Sequence, residues 1–221
     1  MTKKVLNYVS LAVGCLACVA AIFYLINTIN TASNVNWSVD EMGWKYIIYI
    51  IAVIAALALT TIGLVFGGVR IIKTFLDKKE ITDSFFVLPM AIYFASELVF
   101  SGLTLGFWGL DSIRAWIFAV LALGGLFITF CPTLGKLDEK NSKLTYLCAS
   151  ILGFVLSIVD LANAGGVGAA GLVFIMFMFA CVAAIYITYV FTTYNATKTE
   201  EVKEEKAVEA PESSDSEEKA E

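Results

Sequence analysis

Six long apolar runs alternate with short polar stretches along this chain, and no connecting stretch is large enough to fold into a soluble domain. The runs cover residues 5–30, 46–69, 84–110, 115–131, 144–164 and 167–194. The fourth is short. It reaches full length with Ser112 and Ile113 when the Arg114 side chain snorkels toward the headgroups. A helix crosses the hydrocarbon core with about 20 apolar residues, and in lipid the backbone must satisfy its own polar groups. Each run therefore predicts a transmembrane helix. The expected fold class is all-α, a polytopic membrane bundle of six transmembrane helices.

Charge adds a direction. Lys3 and Lys4, then Arg70, Lys73, Lys78 and Lys79, then Lys136, Lys140 and Lys143, then the four tail lysines all fall on one side of the predicted spans. That is 13 of the 15 basic residues, leaving only Lys45 and Arg114 on the other side. By the positive-inside rule, the N- and C-termini are expected in the cytoplasm of a cell-membrane protein. Trp37, Trp44, Trp108 and Trp116 all lie at or beyond the opposite ends of spans, where amphipathic rings favour the headgroup level. Lys3 and Lys4 before an apolar run also suit a signal peptide, but the run continues past signal-peptide length, so a retained first span is expected.

Composition agrees, with 59% hydrophobic residues and a mean hydropathy of +0.80. The net charge of −5 belongs to the tail: residues 198–221 carry 10 acids and 4 lysines, so the rest of the chain is close to neutral. The acidic balance thus says nothing about partners such as nucleic acid, and none is expected. Two domains follow: residues 1–195 as the six-span helical domain, and 196–221 as an acidic cytoplasmic tail. The tail has no aromatic residue and too little apolar surface to offset ordering entropy, so disorder is expected there.

Residues three and four apart share a helix face. In the third span, Tyr93, Glu97, Ser101, Thr104 and Trp108 form one stripe; in the fifth, Ser150, Gly153, Ser157 and Asp160 form another. Gly63 and Gly67 in the second span and Gly14 in the first suit close helix packing, as does Gly153. Glu97 stands apart. It lies about 20 Å from Ser84 along the third span at 1.5 Å per residue, inside the hydrocarbon. A charged, unpaired acid there costs at least about 2.5 kcal/mol. No basic residue is expected at its depth. Glu97 is then neutral, held by donors such as Tyr93 or Ser101, or met by a cation from outside. Asp160 is shallower, near the depth of Arg114, and an ion pair between them is the natural expectation, with Asp111 competing. Pro89 is a candidate kink in the third span.

The absent chemistry is also informative. No histidine occurs, and the five cysteines give no disulfide framework or metal-ligand spacing. No phosphate-binding glycine loop or nucleophile motif is present, so neither an enzyme, a metal site nor a cofactor is expected. Two functions stay open. One is a transporter or channel for a small solute, cation or proton, or an importer subunit, with Glu97, Tyr93, Ser101, Thr104, Asp160 and Arg114 along its pathway. The other is a structural or accessory protein that packs with a membrane partner or a second copy of itself. In size and six-span topology the chain resembles the energy-coupling-factor S-components of vitamin importers, and Ala17 and Ala21 are a loose counterpart of their small-residue motif. The resemblance implies an importer subunit and carries over no binding residue.

Overall fold

The computed structural model describes residues 3–35, 37–109 and 111–208. Among the described residues all regular structure is helical: α1 Lys3–Asn34, α2 Val39–Leu76, α3 Ser84–Trp108, α4 Ile113–Leu134, α5 Glu139–Leu161 and α6 Gly166–Val208. Each predicted apolar run lies on its own helix, and all six helices are long and apolar enough to cross a membrane. The short connections force sequence neighbours to pack side by side. Each helix touches the next, α6 returns against α1, and the six close into a ring, with α3 also reaching α5 across it. An even number of spans brings both chain ends to one side, called here the termini end.

The flank of the ring is apolar and bare. Leu59, Phe66, Phe127 and Leu134 are each more than 60% exposed. Water would not tolerate so continuous a patch, whereas lipid is its natural solvent. Inside, Met90, Phe94, Met178, Phe179 and Tyr186 are fully buried. Interior serine and threonine hydroxyls turn back on their own helices. Thr60 donates to the Ala56 carbonyl at 2.8 Å, Thr104 to Phe100 at 2.9 Å and Ser157 to Phe154 at 2.8 Å. Bonded this way they behave as small packing residues rather than as bridges between helices.

The glycines singled out from the sequence sit where helices touch. A Cβ on Gly14 would lie 3.0 Å from the carbonyl oxygen of Gly68, drawing α1 onto α2. Gly63 and Gly67 face α3, against Ile92 and Pro89, and Gly153 of α5 lies under the ring of Phe179. Gly125 of α4, which no sequence pattern marked, plays the same part under Phe94. Pro89 is accommodated inside a continuous α3. Among the described residues the one break within a helix is at Gly43 of α2, whose φ of 72° only glycine adopts readily.

At the termini end, Asp83 ties three helices together. Lys143 of α5 pairs with its Oδ2 at 2.6 Å, and Tyr186 of α6 donates to its Oδ1 at 3.1 Å. The tail expected to be disordered from residue 196 continues as helix to Val208, and residues 209–221 lie outside the described residues. Its helical part is rich in Glu, Lys and Ala, which favour helices.

Candidate functional site

Glu97 stands on the ring-facing side of α3, three turns from the end of α3 remote from the termini. The acid that meets it comes from α5: Asp160 lines the same two cavities as Glu97. Two like charges in one lipid-surrounded cavity repel, and one proton held between the two acids relieves that repulsion. Tyr93, one turn nearer the termini end, donates its hydroxyl to Asp160 Oδ2 at 2.7 Å.

The expected partnerships are therefore rearranged. Tyr93 serves Asp160 rather than Glu97, and Glu97 meets another acid rather than an isolated hydroxyl. The cause is rotational: α3 and α5 touch across the ring, which turns the Tyr93–Glu97 face of one toward the Ser157–Asp160 face of the other. Arg114 is also redirected. Its Nη1 donates to Asn163 Oδ1 at 2.9 Å, and its guanidinium lies 5.3 Å from the centre of the Phe118 ring. Asn163 is itself held by a 2.6 Å bond from Nδ2 to the Val159 carbonyl, so the amide is preset to receive the guanidinium. Asp111 is exposed at the surface.

Two cavities, of about 340 and 360 Å³, meet at Glu97, Phe100, Arg114 and Asp160. The first is open at the end remote from the termini and takes wall residues from all six helices, among them Tyr24 and Asn27 of α1, Leu57 of α2 and Leu172 of α6. The second lies between α3, α4 and α5 and includes Ser101, Thr104 and Ser112. The six pathway residues expected from the sequence thus converge. Glu97, Asp160 and Arg114 line both cavities, Ser101 and Thr104 line one, and Tyr93 supports Asp160 from below.

Asn27, Tyr24 and Asn163 are wall residues that the sequence reading missed. Asn163 had a detectable signal, lying one turn beyond Asp160 on the same face. Asn27 lies near the end of an apolar run and looks like an ordinary terminus.

Beneath the carboxyl pair the ring is plugged. Tyr93, Phe94 and Phe179 pack with centroid separations of 5.2 to 5.7 Å and are almost wholly buried. A separate cavity of about 380 Å³ lies on the other side of this plug, at the termini end, walled by Asp83, Lys143, Phe86 and Tyr186. The bundle is thus open to Glu97 from one end, and the aromatic rings separate that cavity from the one at the other end. Among the described residues no group of acids, cysteines or histidines is arranged to hold a metal ion. No known protein family, curated protein or solved structure matches this chain, so the geometry of this cavity carries the functional argument.

Proposed function

We propose that this protein is a proton-linked transporter of a small solute in the cell membrane, with both termini in the cytoplasm and the Glu97 cavity facing outward. The observation that carries the proposal is the Glu97–Asp160 pair in a cavity walled by all six helices. An acid pair buried for structural reasons alone would be simpler to replace with apolar residues, since isolated buried charge is unfavourable in a membrane. A pair that holds one proton and meets water on one side can carry that proton across together with a solute bound beside it. The aromatic plug of Tyr93, Phe94 and Phe179 supplies the closed side that coupled movement needs. Transport, not catalysis, is the activity we assign.

Topology and access are tested together. Thr31 lines the open cavity near the end of α1. Thr31→Cys, in a background with the five native cysteines replaced, is expected to react with a membrane-impermeant maleimide added to intact cells. Labelling only in inverted vesicles would reverse the orientation and overturn the outward-facing assignment.

A second reading, that of an accessory protein docking a partner, is favoured by one observation: α6 continues as helix to Val208, well past its apolar run, which ends at residue 194. Removal of residues 198–221 separates the two. Under the transport reading, solute-driven proton movement in proteoliposomes stays within about twofold of the full chain, because α6 contributes to the cavity through Gly168 and Leu172 at its opposite end and surface changes carry little energy. A partner protein that co-purifies with the full chain and is lost with the tail would support the docking reading.

A further inference from the structure

We infer that the Glu97 cavity binds a small zwitterion of amino-acid size, its ammonium on the Glu97–Asp160 pair and its carboxylate on Arg114 and Asn163. The inference rests on the transport reading and names its substrate class. It follows from which charges share one wall. With one proton held between them the two acids carry one negative charge, and Arg114 on the same wall carries one positive charge. The wall is neutral as it stands.

Net charge is costly in a cavity surrounded by lipid-embedded helices. A free amine would leave the wall positive unless the shared proton departed, and a free carboxylate would leave it negative. A zwitterion brings both charges and leaves the sum unchanged. The donors and acceptors fit as well. A carboxyl pair offers several acceptor oxygens to an ammonium, and a guanidinium offers paired donors to a carboxylate. Asn163 already points its amide at Arg114. Phe100 and Leu172 supply apolar wall for a side chain. At about 30 Å³ per water-sized group, the cavity has room for on the order of ten non-hydrogen atoms, the size of a common amino acid.

The test uses the full chain in nanodiscs and matched triads of one carbon skeleton: alanine, leucine and phenylalanine, each against its decarboxylated amine and its deaminated acid. Binding is read by calorimetry in buffers of different ionisation enthalpy, which also counts protons. At least one amino acid is expected to bind about tenfold or more tightly than both its relatives, as the loss of a charge-assisted contact implies, with no net proton released. Arg114→Gln is expected to weaken the amino acid by about tenfold and bring it level with the amine, while Arg114→Lys retains part of the preference. The melting temperature of each variant verifies that it is folded. Amines binding as tightly as amino acids, with one proton released per amine, would overturn the zwitterion in favour of a proton–cation exchanger. Failure of all three amino acids to bind would overturn it too. Neither result touches the transport reading, which stands or falls on proton movement and its dependence on Glu97.

Discussion

Glu97→Gln is expected to stop solute-driven proton movement. Glutamine has the shape of glutamate and can still hydrogen-bond Asp160, so the helices keep their places. What it lacks is a proton that can be gained and lost. Once the pair is an amide and a carboxylate, Asp160 also keeps the Tyr93 bond that orients it. The expected result, in proteoliposomes loaded with a pH-sensitive dye and challenged with a mixed pool of amino acids, amines, organic acids and sugars, is a fall in initial rate of at least about 100-fold, at the lower end of what loss of a positioned proton-transfer group entails. The purified variant should retain the melting temperature of the parent to within a few degrees. A folded Glu97→Gln protein that moves protons at the parental rate would end the proposal that this pair couples transport. A wet chemical probe gives an independent reading: a hydrophobic carbodiimide should modify the parent at Glu97 and leave the Gln variant unlabelled there.

The largest structural effect is expected at Gly153. Its α5 backbone lies directly under the ring of Phe179, so even one added methyl group occupies the space of ring atoms. Phe179 has nowhere to go. It is fully buried, and its ring meets Tyr93 at 5.2 Å and Phe94 at 5.7 Å. Overpacking a filled interior costs about 1–3 kcal/mol for a small intrusion, a large share of the total stability of a small bundle. Gly153→Ala should lower the melting temperature in detergent by several degrees, and Gly153→Val should leave little monodisperse protein. The strain also travels. Tyr93 is the residue that holds Asp160, so the folded fraction of Gly153→Ala should show slower proton movement although the substitution touches neither acid. Phe179→Leu in the same molecule vacates the space and should recover at least part of the lost stability. If Gly153→Ala melts with the parent, α5 and α6 are less closely packed than described here.

Some of this was legible residue by residue. An apolar run announces a span wherever it occurs, because the solvent it needs depends only on its own side chains. Glu97 was visible in the same way, as one acid in the middle of one run. The glycines at positions 14, 63, 67 and 153 were visible as small residues in a helical row, although which helix each one meets was not. Gly125 and Gly68 each sit in an adjacent glycine pair, Gly124–Gly125 and Gly67–Gly68, whose two members lie on different helix faces, and the sequence does not say which face meets a neighbour. The expected Arg114–Asp160 pairing followed from similar depth along the membrane normal, and depth says nothing about rotation around it. Asn163, one turn on from Asp160, captured the guanidinium instead.

What the amino-acid order determined by itself is the number of spans, the asymmetry of basic residues from which an orientation is proposed, and the presence of an acid that lipid would not accept alone. Those properties are sums over neighbouring residues. Only the tertiary structure decided that Asp160 meets Glu97, that Tyr93 holds Asp160, and that a cavity walled by six helices opens onto the pair. These depend on how far each helix is turned about its axis when the ring closes. That turn is set by the summed packing of glycines, rings and branched side chains over every interface at once, and no single run of sequence contains it.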